Sequence, residues 1–261
     1  MTTNASEIVR KSRDTNRLTA IELAEVIFED FLELHGDRRF ADDPAIMGGV
    51  GLLNNKPVTI IGTQKGHDLK ENIYRNFGSP NPEGYRKAIR LMKQAEKFNR
   101  PIVTFINTSG AFCDLDSEDR GIGEAIAESL LVMSQLTVPM IAILVGEGGS
   151  GGALALGMGN KVWIMENAMY SVLSPEGFSS ILWKDSSRSK EAAEIMKLMP
   201  DDLLELEIVD KIIPESRRKI ALPTNKIVAS LRQEIIAALE EMSAWDKDYI
   251  VSQRQDRFRK F

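Results

Sequence analysis

Five glycines crowd between residues 146 and 152 of this 261-residue chain, inside the stretch MIAILVGEGGSGGALALGMGN that runs from Met140 to Asn160. The apolar run Met140–Val145, rich in β-branched residues, has the length of a buried strand, and a small-residue apolar segment follows the glycines. The pattern predicts strand, glycine turn, helix. A flexible linker fits poorly, because linkers are not sandwiched between core elements. Glycine is needed where backbone takes a positive φ or comes within contact distance of a ligand, and the first amides of a helix have no partner within it. Such a turn is a cradle for negative charge.

Three chemistries can use this cradle. Gly146–Gly151 fits G-x-G-x-x-G, with Glu166 standing about where a ribose-binding acid would. Against a dinucleotide site, Gly157, Gly159 and Asn160 interrupt the following helix after barely two turns. Gly148–Gly152 also fits G-x-S-x-G, with Ser150 as nucleophile. Its base is missing: the two histidines, His35 and His67, both precede Ser150, which breaks the chain order such hydrolases need. The third chemistry is an oxyanion hole, in which the Gly151 and Gly152 amides donate to an oxygen that gains charge during acyl or carboxyl transfer while Gly148 and Gly149 shape the turn. It requires no side-chain nucleophile.

Composition narrows the setting. A content of 43% hydrophobic and 27% charged residues is that of a soluble globular protein. No apolar run approaches the roughly 20 residues that span a bilayer, so no membrane role is expected. The N-terminus has no apolar leader, and the single Cys113 leaves no internal disulfide or cysteine-based metal cluster; a cytoplasmic location is expected. A net charge of −5 argues against general nucleic-acid binding. The length suits one large α/β domain. Three segments are expected: a polar N-terminal segment over 1–18, poorly ordered or docked on a partner; the main domain over 19–222; and a helical segment over 223–261 behind Pro223.

Along the chain, Thr19 and Glu22 form a capping box, and the spacing of Ile21, Val26, Ile27, Phe28 and Phe31 predicts a helix to Leu34. Gly48–Leu53 and Val58–Thr63 read as a hairpin. Between Gln64 and Lys87 lies a stretch dense in Gly, Pro, Asn and basic residues, in which Lys65, Lys70, Arg75, Arg86 and Lys87 could rim a site for a phosphate or carboxylate. A helix over Pro82–Phe98, a buried strand Ile102–Ile106 and a helix over Gly121–Leu136 come next. Asn107–Ala111 is therefore a second strand-to-loop junction. Two consecutive strand-loop-helix units bring their loops to the same end of a parallel sheet, which makes Gly110 a neighbour of Gly151 and Gly152. Val162–Met165 and Tyr170–Leu173 are expected strands, and the basic tail Ser252–Phe261 is expected to be a solvated helix end.

Several longer motifs occur in one order: Glu33–Arg38, Ile61–Gly66, Arg75–Gly78, Pro82–Ala88, Gly146–Ala155 and Ser171–Gly177. From about Thr19 to Glu215 the chain resembles the α subunit of bacterial acetyl-CoA carboxylase carboxyltransferase. The resemblance implies an α/β fold of crotonase-like type, built of stacked ββα units. It implies transfer of the carboxyl group from carboxybiotin, borne by a biotin carboxyl carrier protein, to acetyl-CoA, giving malonyl-CoA for fatty acid synthesis. It also implies a β-subunit partner in an α2β2 heterotetramer, with zinc only on that partner and no covalently bound cofactor here. Gly151 and Gly152 take the catalytic role, and Gly148, Gly149, Gly110, Ala111, Lys65 and Arg75 the substrate-binding one.

One loop departs from the family. Its members read T-P-G-A-Y-P-G-x-G-A-E-E-R-G where this chain has Thr108–Gly121 as TSGAFCDLDSEDRG. Two prolines and two glycines are replaced, which changes the backbone the loop can adopt, and Asp114 and Asp116 add negative charge. Two alternatives follow: a divergent copy with a regulatory or interaction role, and a free-standing crotonase-type acyl-CoA enzyme using Glu118 or Glu124 as acid and base.

Overall fold

The computed structural model describes residues 4–218 and 220–261. Its centre is a mixed sheet in which β1 (Glu29–Glu33), β2 (Ile46–Leu53) and β3 (Lys56–Thr63) run antiparallel, and β3, β4 (Ile102–Thr108), β5 (Met140–Gly149), β6 (Lys161–Met165) and β8 (Lys211–Ile213) follow in parallel. Strand β5 is long enough to take two neighbours on one edge. Its first half pairs with β6 and its last residues, Glu147–Gly149, pair with β7 (Met169–Ser171). A small hairpin, β9 (Ser216–Arg217) and β10 (Ile220–Ala221), lies apart. Every residue of β4 and β5 is buried, as expected of parallel strands covered on both faces.

The helices are α1 (Ala5–Ser12), α2 (Ala20–Ile27), α3 (Leu69–Tyr74), α4 (Pro82–Lys97), α5 (Leu115–Asp119), α6 (Ile122–Gln135), α7 (Ser150–Gly157), α8 (Pro175–Trp183), α9 (Ser189–Ile195), α10 (Pro200–Glu205), α11 (Thr224–Met242) and α12 (Lys247–Phe258). One large core joins α2, α4, the sheet and α11, so Val228, Leu231 and Ile235 of the C-terminal segment are buried with the strands.

Four local expectations change. Helix α2 stops at Ile27 rather than Leu34, because Phe28 turns to an extended backbone and Glu29–Glu33 pairs with β2 as an edge strand. Its run of β-branched and aromatic residues suits a half-exposed strand as well as a helix. The N-terminal segment is ordered: Asn4 caps α1, whose Ile8 and Val9 pack with Met169 and Leu198. Strand β5 continues through Gly149, so Gly146, Gly148 and Gly149 are strand residues and the turn begins at Ser150. The basic tail is not a solvated end. Arg254 is fully buried, donating to the carbonyls of Met133, Leu136 and Val138 at 2.7, 2.7 and 2.9 Å and to Asn160 Oδ1 at 2.6 Å. Its guanidinium caps the last turn of α6, and burial draws its pKa down to about 10.

Candidate active site

The glycines are explained by what stands against them. A Cβ on Gly149 would lie 2.2 Å from the Ser109 carbonyl oxygen, and one on Gly152 would lie 2.5 Å from the Ala111 nitrogen and 2.6 Å from the Gly110 carbonyl carbon. The loop after β4 and the turn after β5 thus cross backbone to backbone, which only glycine allows. Gly151 differs. Its Cβ would meet one atom, Ile126 Cγ2 at 3.8 Å, and otherwise open space.

Backbone angles complete the crossing. Gly110 has φ +145° and is pinned by Thr108, whose hydroxyl accepts from the Gly110 amide at 3.0 Å and donates to the Gly110 carbonyl at 2.9 Å. Ser150, with its side chain exposed, holds φ +55°, a strained left-handed angle that swings the chain from strand to helix. Helix α7 starts there with no side-chain cap on its first turn, so the amides of Gly151 and Gly152 stand beyond the last β5–β7 ladder pair, Gly149 with Ser171. The other end of α7 is anchored. The hydroxyls of Thr104 and Ser129 donate to the carbonyls of Leu156 at 2.8 Å and Ala155 at 2.6 Å.

Just before the turn, three residues of β5, Val145–Glu147, face the single Asn107 of β4. The Asn107 side chain wedges into this irregularity, its Oδ1 accepting from the Glu147 amide at 3.0 Å, while the Asn107 backbone N–H donates to Thr63 Oγ1 at 2.6 Å. The wedge turns the Glu147 carboxylate into a slot of about 460 Å³ at the carboxyl ends of β3, β4 and β5, floored by Asn107, Ser109 and Glu147 and walled by residues 12–19 and 65–72. There Lys65 Nζ lies 3.1 Å and Arg13 Nε 2.9 Å from the Glu147 carboxylate, and Arg13 reaches Glu176 of α8 at 3.0 Å. The Arg13 hydrogen bond holds the Glu176 carboxyl below its usual range.

The predicted site residues divide accordingly. Gly110, Ala111, Gly149, Gly151 and Gly152 gather where the two loops cross, Gly148 sits just before the crossing in the β5 ladder against Met169 and Tyr170 of β7, and Lys65 enters the adjoining slot. Arg75 points elsewhere: it donates to the Pro44 carbonyl at 3.1 Å, pairs with Glu71 at 3.7 Å and covers the Tyr74 ring. Arg86 is held by Asp37 at 2.8 Å, and Lys87 is buried on Asp42 at 2.6 Å and the Asp43 carbonyl at 2.9 Å. Arg86 and Lys87 brace the 35–45 loop against α4, and Arg75 ties it to the end of α3, rather than rim a pocket. Glu166, the ribose-acid candidate, accepts from the Glu215 and Ser216 amides at 2.6 Å each, an internal loop anchor. Glu118 and Glu124 are exposed.

Glu147, Asn107 and Arg13 were not foreseen. A lone acidic residue inside a glycine run at the end of an apolar strand was the available signal for the first. The divergent loop 108–121 finds its own closure. Asp114 caps the short helix α5 by accepting from the Ser117 amide at 2.7 Å, and Asn81 Oδ1 accepts from Ser117 Oγ at 2.8 Å and Arg120 at 3.2 Å.

Comparison with known proteins places this geometry. The family model described as acetyl co-enzyme A carboxylase carboxyltransferase-like matches residues 2–261. The acetyl-coenzyme A carboxylase carboxyl transferase subunit alpha of Streptococcus gordonii is 58% identical over 259 residues, covering 99% of this chain and 100% of that one. That of Streptococcus pyogenes is 54% identical over the same coverage. Among solved structures, transcarboxylase 12S superposes with a TM-score of 0.72 at 19% identity over 92% of this chain, which spans 44% of that one. A Pseudomonas malonate decarboxylase hetero-tetramer in complex with coenzyme A gives 0.67 at 17% identity, over 85% of this chain and 89% of that one. The α/β, crotonase-like fold is thus shared with transcarboxylase 12S and malonate decarboxylase at low sequence identity. A full-length match to the family model, with relatives at this identity, makes the chain a member of the acetyl-CoA carboxylase carboxyltransferase alpha-subunit family.

Proposed function

We propose that this chain, with a β-subunit partner in an α2β2 assembly, moves the carboxyl group from carboxybiotin on a biotin carboxyl carrier protein to acetyl-CoA, giving malonyl-CoA. The observation that carries the assignment of roles is the pair of amides at Gly151 and Gly152, standing at an uncapped helix start where two glycine-bearing loops cross.

As the N–CO2 bond of carboxybiotin breaks, its electron pair delocalises onto the ureido oxygen. Two amides aimed at that oxygen lower the barrier because the charge exists late in the step and hardly at all before it. The positive end of α7 adds to this, and the backbone crossing holds the donors still. The anionic ureido group then takes a proton from the methyl of acetyl-CoA, and the thioester enolate attacks the released CO2. No side-chain base on this chain enters the scheme, consistent with the exposed positions of Glu118 and Glu124. Gly110, Ala111, Gly148 and Gly149 shape the cradle, and Lys65 offers a cation at the adjoining slot to a carboxylate or phosphate. In this reading any zinc sits on the partner.

The test is reconstitution. The purified chain and its cognate β subunit, given carboxylated carrier protein and acetyl-CoA, are expected to form malonyl-CoA, and neither polypeptide does so by itself. An assembled complex without turnover would leave the divergent loop as the mark of a binding or regulatory copy. Turnover of an acyl-CoA by this chain without a partner would support the free-standing enzyme.

A further inference from the structure

His67 makes two contacts that a neutral imidazole cannot make together. Its Nδ1 lies 2.6 Å from the Thr15 carbonyl oxygen and its Nε2 lies 3.0 Å from Glu22 Oε1. Both partners are acceptors. The carbonyl has no proton to give, and the other Glu22 oxygen accepts from the Thr19 amide at 2.8 Å and the Thr19 hydroxyl at 3.0 Å. Burial works to raise the Glu22 pKa, but the Thr19 amide and His67 outweigh it and keep the carboxylate ionised. A neutral ring has one N–H and one lone pair, so one contact would set lone pair against lone pair; the imidazolium satisfies both.

The segments that His67 joins are opposite walls of the slot. Thr15 lies between α1 and α2, on the wall made by residues 12–19, and His67 stands at the head of the facing loop. The two ends of this N-terminal crossing are fixed independently: Arg13 is held by Glu147 and Glu176, and Arg17 donates to the Val145 carbonyl at 2.7 Å and pairs with Glu215 at 3.0 Å. Its middle is held across the slot by His67.

We propose that residues 13–17 form a strap beside the glycine cradle, clipped across the slot only while both His67 ring nitrogens are protonated, so that the slot opens more readily as pH rises. This concerns access to the slot and stands whatever ligand the slot takes.

The surroundings agree with the geometry. The Thr15 carbonyl above all raises the His67 pKa above its ordinary value of 6.5; burial opposes it, and Glu22 and Glu71 add to the rise. Facing charges are mainly acidic: Glu22 from α2, Glu71 from α3, whose carboxylate also accepts the His67 amide at 3.1 Å, and Asp68 next in the chain. Lys65 and Arg13 on the slot are both paired with Glu147, and Asp14 accepts from the Asn16 amide at 2.9 Å. Because the folded pKa is raised, the clip contributes in full below the ordinary histidine range and is lost as pH climbs through the higher, folded value. The His67 side chain is 44% exposed, so the clip is weak enough to be reversible.

Two measurements on the full-length chain test this. With ¹⁵N-labelled histidine, and His35→Gln to assign the signals, both His67 ring nitrogens are expected to carry protons at about pH 6 and to titrate above the ordinary range. Hydrogen-exchange protection of residues 12–19, corrected for intrinsic chemical exchange, is expected to fall roughly three- to tenfold between about pH 5.5 and about pH 8.5, the size of one charge-assisted bond at a half-exposed site. His67→Gln should be weakly protected at both pH values, and His67→Arg, which keeps charged donors throughout, should stay protected at the higher one. A His67 ring bare on one nitrogen at about pH 6, or the same pH profile in the wild type and His67→Gln, would overturn the proposal.

Discussion

Replacing Gly152 and Gly151 in turn by alanine separates backbone crossing from empty space, because the same methyl group is added to adjacent residues in opposite surroundings. At Gly152 the new Cβ would sit 2.5 Å from the Ala111 nitrogen, where ordinary contact begins at 3.4 Å, so the 108–111 loop and the start of α7 must part by about 0.9 Å. Neither side is a flexible side chain that could swing away. Overpacking of this kind costs about 1–3 kcal/mol, and a displacement near 1 Å at a reacting centre costs on the order of 100-fold in rate. At Gly151 the methyl meets only Ile126 Cγ2 at 3.8 Å, and φ there is not positive, so alanine should stabilise the chain by about 0.4–1 kcal/mol through the unfolded state. Urea unfolding gives the two stabilities, and malonyl-CoA formation by the reconstituted complex gives kcat/KM. Gly152→Ala should be less stable than wild type and about 100-fold slower, and Gly151→Ala more stable and slowed by less than about tenfold. If both variants keep full activity, or if Gly152→Ala is as stable as wild type, the crossing does not position the amides and the reasoning fails.

Arg254→Ala leaves three carbonyls without this donor and Asn160 Oδ1 with only the Met140 amide at 3.2 Å, and should cost about 3–5 kcal/mol in urea unfolding, whereas Arg259→Ala, whose side chain is 74% exposed, should change nothing measurable. Glu147→Gln removes the carboxylate between Lys65 and Arg13; a loss of about 1–3 kcal/mol and weaker protection of residues 12–19 are expected, read by urea unfolding and hydrogen exchange. Burial raises the Asp43 pKa to about 6, against the Ala45 and Asn81 amides that favour its carboxylate. Its contribution to stability is therefore fully present below the ordinary carboxylate range and lost as pH rises through about 6. The stability difference between wild type and Asp43→Asn should shrink over that window, and a difference independent of pH would show that Asp43 does not titrate there.

Periodicity located most of the sheet because its strands are apolar, short and flanked by turn residues, and the glycine run marked the cradle because backbone contact leaves no other residue possible. What escaped was non-local. Whether Phe28–Glu33 is helix or strand depends on the edge of β2, which no window of neighbouring residues contains. Arg254 looked solvated because its four acceptors come from residues 133–160, more than ninety positions away. Arg75, Arg86 and Lys87 resembled a ligand rim because a basic cluster carries the same letters whether its counter-ions belong to a substrate or to Asp37, Asp42 and Glu71. Arg13 and Glu147, 134 residues apart, meet only after the strand order is set.

The crossing of the two loops also bears on how such a sequence can drift. Where the working surface is made of main-chain atoms in van der Waals contact, the steric constraint falls on any added carbon at Gly149 and Gly152 and not on the chemistry of the letters around them. Phe112–Asp119 can therefore hold aspartates and a short helical turn, provided that something like Asn81 still tethers the far end. Kinship in this region is carried by where bulk is forbidden, and a search weighted toward chemically reactive side chains would overlook it.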